Sequence, residues 1–465
     1  MSNVEEWQVP GGLTLRAVWQ QVPSIVSLAA PIVMGLAAST LIGVTDSIML
    51  APLGPVPVAA VGLTGAVAML FFAAIYGLIS ALSVRIGAAW GAGERRRISL
   101  ILRAGLALGL LIGVGAALVM AALWPLLPLL GQPEEVISAM SAYWFFICAF
   151  LVPFSVLTAF KSAFEAVERP WLGAVFAFLA VAINVPLNFA LIWGIGPFPQ
   201  LGLSGAGVAS LLAEALALGA AVLWWLYAPS MRRLRLRRPV ARREIGLTLR
   251  EGAPLGAMYV LETASVSVAT LMIGGFGTVA LAANQVAQSI CGLLYMLPLG
   301  VAGAVAIRVA QERGAGNADA LRPIALAAAS VAMVWLTAAA LLLAFRGEAI
   351  AQLVIEDVEV VAVAAAIFLV FAPMQICDAV QSSMLGALRG LSDTAWPATV
   401  SAIAYWPVAL PLGWALAHWA GMGPAGIWAG FIVALVGAGI ALVFRFWLMT
   451  ALPTPITRSR HSLDA

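Results

Sequence analysis

Apolar residues run along most of this chain for stretches that span a bilayer, about 20 residues or more, before a charge or a Pro/Gly cluster interrupts them. Punctuated this way, the sequence predicts twelve spans, at about 23–47, 57–81, 99–123, 135–158, 171–194, 203–227, 252–275, 280–304, 322–345, 359–385, 397–419 and 425–448. Runs such as LILRAGLALGLLIGVGAALVM (100–120) do not alternate apolar and polar positions, so they predict helices rather than the strands of a membrane barrel.

Composition agrees with the pattern. Of 465 residues, 63% are hydrophobic and 10% charged, against roughly 25% charged in a soluble domain. The mean hydropathy of +1.03 exceeds what one soluble core can bury. Cys148, Cys291 and Cys377 lie in apolar segments without metal or disulfide spacing, which predicts plain packing. The start, MSNVEEWQVPGG, lacks the basic region and cleavage site of a secretory signal, so the first span is expected to serve as its own insertion signal.

Charge sets the expected orientation. One side receives GERRRI, KSAFEAVERP, RRLRLRRPVARR, QERGAGNADALRP, the Arg389 loop and the tail TRSRH. The other receives APLGPVP, LLGQPEE, GPFPQLG, FGT, FRGEAIAQLVIEDVE and HWAGMG; of 24 Lys and Arg, only Arg346 falls there. The positive-inside rule then places both termini in the cytoplasm. Next to a span, the run RRLRLRR is explained by orientation and anionic headgroups rather than by nucleic acid.

The chain also repeats itself. Shifted by 223 residues without a gap, positions 31–93 give 14 identities in 63, among them Pro31 with Pro254, Gly54 with Gly277, Gly77 with Gly300 and Arg85 with Arg308. GLSGAGVAS (202–210) echoes GMGPAGIWA (421–429) more loosely. Six spans per half bring both halves into the membrane in the same sense, so their symmetry axis runs along the membrane normal, an arrangement linked with transporters that rock two bundles about a central site. The expected fold is therefore an all-α polytopic membrane protein, twelve transmembrane helices in two six-helix pseudo-symmetric lobes around a central cavity. Residues 1–228 form the first lobe, 229–251 a basic cytoplasmic linker and 252–465 the second lobe.

Few ionisable groups fall inside the spans. A carboxylate at the bilayer centre costs at least about 2.5–3.5 kcal/mol, so such residues face a bundle interior or a wet cavity. Glu262 lies roughly 18 Å beyond Arg250, and Asp378 roughly 16 Å before Arg389, at 1.5 Å per residue. Two acids on different helices thus share one depth. If they face one cavity, a proton or Na⁺ and an organic cation compete for the same negative charge, and antiport follows. Asp46 sits near the outer end of the first span, where water can solvate it, or it joins Asn184 and Asn188 of NVPLN, which share one helical face, in a second polar cavity. Glu214 shows no partner in the sequence. Arg85 and Arg308 are expected to snorkel to headgroups. Prolines at 31, 153, 186, 254, 298, 373 and 407 lie in or at the edge of spans, and Pro373 is expected to bend its helix near Asp378.

These residues resemble the multidrug and toxic compound extrusion (MATE) transporters, particularly the NorM-like branch. The likeness covers about residues 20–450 and rests on VTDSIMLAPLG, WGAGE, INVPLNFALIWG, EGAPLGAMYVLE, LAANQVAQSICGLLYMLPLGVAGAVAIRVAQERGAGN and CDAVQSSMLGALRGLSDT. It implies two six-helix lobes in a V about a central cavity, expelling cationic amphiphilic drugs in exchange for Na⁺ or H⁺. It further implies cation binding by Glu262 and Asp378, a possible Na⁺ site, with Asp46, Asn184 and Asn188 as the polar cluster of the first lobe and Gln285 in the eighth-helix AxQ pattern. Met374 stands where some members have tyrosine, and Asn284 where the pattern has histidine.

Two other classes compete. A flippase for lipid-linked sugars of related fold would want basic residues lining its cavity, whereas the charges at depth here are acidic. An intramembrane enzyme has no supporting motif: His418 and His461 belong to no metal cluster or Ser–His relay, and no GxxxxGK[ST] points to ATP. The expectation is a monomeric, multi-pass inner-membrane antiporter that is not an enzyme, needs no cofactor beyond its coupling ion, and contacts membrane lipid but no nucleic acid.

Overall fold

A computed structural model describes residues 14–130, 133–234 and 240–451. The acidic start, most of the basic run before Arg242, and the tail with His461 lie outside the described residues. The described chain forms α1 (Leu15–Leu50), α2 (Pro55–Gly91), α3 (Arg95–Ala122), α4 (Glu134–Ala166), α5 (Pro170–Trp193), α6 (Leu203–Tyr227), α7 (Arg242–Gly274), α8 (Thr278–Ala315), α9 (Leu321–Gln352), α10 (Val358–Gly390), α11 (Ala395–Ile403), α12 (Leu410–His418) and α13 (Gly423–Ala451). A π-helical turn, Ala404–Ala409, containing Pro407, joins α11 to α12 in one span, which makes twelve spans. Cys148, Cys291 and Cys377 are unpaired.

The repeat is visible in backbone geometry. Gly54 before α2 and Gly277 before α8 take φ of 105° and 107°, a region open only to glycine at no steric cost. Two non-glycine residues, Glu168 and Ser392, share φ near 61° and 62°. Their turns also match: Arg169 N–H donates to Phe164 O as Asp393 N–H donates to Leu388 O.

In each half the fourth helix is central. α4 packs on α2, α3 and α6; α10 packs on α8, α9 and α13. One apolar core lies within the first half, around Trp144, Phe164 and Leu151. A second lies within the second half, around Phe368, Trp428 and Phe431. A third joins the halves, with Ile25, Leu28 and Ile32 of α1 against Val301 and Val305 of α8.

That joint is confined to one end of the bundle, where Arg95–Arg97 and Arg313 cluster: the basic end. Here Gly77 lets α2 touch α7, since a β-carbon on it would lie 2.6 Å from Leu255 O. Gly91 and Gly314 bring α2 against α8 in the same way. Followed towards the opposite end, the faces of α2 and α8 that meet here continue at helical spacing as Ala59, Gly62 and Ala66, and as Gln285, Ser289 and Gly292, all exposed. The halves therefore part into a cleft that is sealed at the basic end and open at the far end.

Several sequence expectations change at the seal. Arg85 does not snorkel. It is buried, pairs with Glu244, and lies 3.5 Å from Glu251, both on α7. Arg308 reaches Glu168 at 3.8 Å and Glu312 at 3.3 Å. The two arginines matched by the repeat thus each reach an acid of the other half, Arg308 while also pairing with Glu312 of its own helix. Arg242–Glu251, expected in the linker, are helical in α7 and bring Glu244 and Glu251 to Arg85. Nor are Lys161 and Arg389 loop residues. Lys161 lies in α4 and Arg389 in α10. Pro373 lies within α10, five residues before Asp378, as the sequence placed it.

Candidate functional site

In the first half, α1, α5 and α6 bring four polar side chains into a closed circuit. Asn188 Nδ2 donates to Asp46 Oδ1 at 2.6 Å and to Asn184 Oδ1 at 3.0 Å. Asn184 Nδ2 donates to Ser210 Oγ at 3.0 Å, and Ser210 Oγ donates to Asp46 Oδ2 at 2.9 Å. The asparagines lie one turn apart, so both face inward on α5. Asp46 is 3% exposed, which removes the expectation of a water-solvated helix end. Asn188 Oδ1 is left without a partner, a free oxygen acceptor beside a carboxylate. Ser210 was not singled out from sequence, although its place in GLSGAGVAS was noticed.

In the second half, Glu262 on α7 continues the face of Gly252 and Leu255 that meets α2. It is half-buried, with the Tyr295 hydroxyl of α8 beside its carboxyl. Asp378 on α10 is buried and lies in the field of Glu262. Tyr295 and Tyr405 are within electrostatic reach of both acids. Tyr405 shares hydrogen bonds with Gln381, 3.1 Å from Nε2 and 3.4 Å from Oε1. On the faces of α10 next to Asp378, Gln375 Nε2 and Ser382 Oγ have no partner. The two carboxyls and two phenols thus lie within one another's electrostatic reach, oxygen groups of the kind suited to a proton or a small alkali cation. The tyrosines escaped the sequence reading because aromatic positions are far more often packing than chemistry.

The α8 amides divide. Gln285 is exposed on the cleft face. Asn284, noted only as a departure from the family pattern, is fully buried: its Nδ2 donates to Thr270 Oγ1 at 3.3 Å, and its Oδ1 accepts from Trp428 Nε1 at 2.9 Å. Gln288, one turn on, donates to the same Thr270 at 2.7 Å.

Two bundles of matching backbone, parted at one end and holding acids at depth, define a multi-pass membrane protein built like a transporter. The MatE family profile matches residues 31–190 and 254–415, and its two segments begin 223 residues apart, the offset of the internal repeat. A probable multidrug resistance protein NorM of Bradyrhizobium diazoefficiens is 33% identical over 85% of this chain and 87% of its own length. Another of that name, from Deinococcus radiodurans, is 32% identical over 92% and 96%. Among solved structures, the eukaryotic MATE transporter AtDTX14 superposes with a TM-score of 0.85 at 21% identity, over 93% of this chain and 96% of that one. The chain belongs to the MatE family.

Proposed function

We propose that the chain is a secondary antiporter of the inner membrane that expels organic cations of many kinds in exchange for Na⁺ or H⁺. The observation that carries this is the pair Glu262 and Asp378, on separate helices, within each other's field and beside Tyr295 and Tyr405. Glu262 stands on the helix face that continues into the cleft. In this reading the pair holds the coupling cation, a cationic amphiphile entering the cleft displaces it, and Gln285 on the cleft wall contacts the drug. The Asp46–Asn184–Asn188 circuit is a second cation site. The relatives named for multidrug resistance support the substrate class. The first lobe is taken as residues 1–228 and the second as 252–465, with Arg242–Glu251 of the expected 229–251 linker extending α7 at its start.

The basic end is cytoplasmic by the positive-inside rule, so the sealed end faces the cytoplasm and the cleft opens outward. In antiport of this kind the gradient supplies the energy, and no ATP is required.

The test is efflux of a fluorescent organic cation from proteoliposomes under imposed Na⁺ and H⁺ gradients. Wild type should transport under at least one. Glu262→Gln and Asp378→Asn should each reduce coupled efflux about tenfold or more while eluting as folded monomers; a tenfold loss equals about 1.4 kcal/mol. Undiminished efflux by both variants overturns the assignment.

A further inference from the structure

The repeat breaks at one pair of helices. α1 and α5, the first and fifth spans of the first half, pack directly: a β-carbon on Gly35 would stand 3.8 Å from Ala174 Cα. Shifted by 223 residues, Gly35 becomes Met258 of α7, a bulkier residue that lines a gap instead. Between α7 and α11, the matching pair of the second half, lies a groove of about 460 Å³. Its walls are Pro254, Ala257 and Leu261 of α7 and Ala398, Ala402 and Ile403 of α11, all apolar.

The groove opens to the bilayer. Gly252, Leu255 and Gly256 of α7 pack against α2, whereas Pro254, Ala257 and Leu261 lie on the opposite side of the helix at 3.6 residues per turn. That side points away from the cleft between the halves, and Ala257, Thr399 and Ile403 are exposed there. Pro407 lines the deep end. Beside it, Trp406 Nε1 donates to Leu261 O at 3.2 Å and ties the π-turn to α7.

Charge and depth select the occupant. Arg250, Pro254, Ala257 and Leu261 follow at i, i+4, i+7 and i+11, one stripe of α7. Arg250 to Leu261 is roughly 16 Å, one leaflet of a hydrocarbon core roughly 30 Å thick. Arg250 is exposed and enters no ion pair among the described residues. On the other wall, Asp393 is already neutralised: Arg445 Nε donates to its Oδ2 at 2.8 Å, and the same guanidinium lies 5.4 Å from the Trp396 ring. The start of α11 has no side-chain cap, and Ala395 of its first turn lines the groove, so the positive end of the helix dipole adds to Arg250. The groove is therefore apolar for the depth of one acyl chain and basic at its rim. A zwitterionic lipid would bring an ammonium to that rim, and an organic cation would meet the same repulsion.

We propose that this groove seats one anionic phospholipid of the basic-end leaflet, with an acyl chain between α7 and α11 and its phosphate at Arg250 and the start of α11. The site is independent of the antiport reading, since neither Glu262 nor Asp378 lines the groove.

The test titrates the purified full chain with phosphatidylglycerol and phosphatidylethanolamine of identical acyl chains and counts bound lipid by native mass spectrometry. The first phosphatidylglycerol should bind about fivefold more tightly than phosphatidylethanolamine, the worth of one arginine near a membrane surface. Arg250→Gln should bring the two lipids to equal affinity. Ala257→Trp, which fills the groove from an exposed position, should remove the preferred lipid. Thr399→Trp fills it from α11 and serves as the check should Ala257→Trp misfold. Phosphatidylglycerol carrying a diazirine on its acyl chain should label residues 254–261 and 395–407 of the wild type and spare them in the filled variants. The proposal is overturned by equal binding of the two lipids to wild type, by filled variants that bind and label as wild type does, or by labelling confined to other helices. Displacement of the lipid from 254–261 by a fluorescent organic cation would make the groove a drug site and overturn it as well.

Discussion

Ser210 shows how one hydroxyl holds a buried carboxylate. It donates to Asp46 Oδ2 and accepts from Asn184 Nδ2, so Ser210→Ala strips a partner from each at once. A buried polar atom left unsatisfied costs about 1–3 kcal/mol. The expected outcome is a lower melting temperature in detergent, measured by the unfolding of purified protein, together with weaker dependence of melting on Na⁺ or pH. Asp46→Asn should melt less sharply below wild type, because an amide keeps an acceptor for Asn188. Equal stability of Ser210→Ala and wild type would show that the circuit is not closed in solution.

Arg85 makes a sharper case. It meets Glu244 and Glu251 from a buried position, and removing one partner of a buried pair costs about 3–5 kcal/mol because the other charge is stranded. Since these acids belong to the opposite half, the cost falls on the sealed arrangement more than on folding. Arg85→Gln should therefore raise maleimide labelling of Ala310→Cys, a fully buried position at the seal, and Arg85→Glu with Glu244→Arg should restore protection in part. Labelling unchanged by Arg85→Gln would remove the pair from the seal.

At the scale of elements, close approach is what the glycines of α2, α7 and α8 provide. A leucine at Gly77 would press on the backbone of Leu255 and Gly256, and overpacking of this kind costs typically about 1–3 kcal/mol. Gly77→Leu should lengthen the distance between spin labels at Arg96→Cys and Ala318→Cys, both exposed and on opposite halves at the basic end. Gly62→Leu, on the open stretch of α2 with nothing within 4 Å, should leave it unmoved.

The helices themselves were legible in the sequence because lipid enforces long apolar runs, and the repeat was legible because Pro31, Gly54, Gly77 and Arg85 recur at one offset. Asn184 and Asn188 were legible as one helical face. What a linear reading missed came from contacts between distant segments. A charge near a span end reads as a snorkelling or loop residue whether it meets a headgroup or, as Arg85, Arg308 and Arg389 do, another helix. Ser210, Tyr295 and Trp428 carry no local signal, since each residue type is ordinary in a membrane helix. Gln285 and Asn284 are neighbours in sequence, and only the rotation of α8 decides which is exposed and which is buried.

For the whole molecule, the position of the joint has a mechanical corollary. The part of α2 beyond the seal, from Pro55 to Ala73, packs on α4 and so carries its half as a lever of roughly 28 Å. A tilt of about 10° at the joint then displaces its tip by about 5 Å, one helical pitch. Modest repacking of side chains at the pivot is thereby converted into a stroke wide enough to admit or expel a drug-sized molecule at the rim. Leverage, rather than unfolding or refolding of any span, suffices to carry the cargo across.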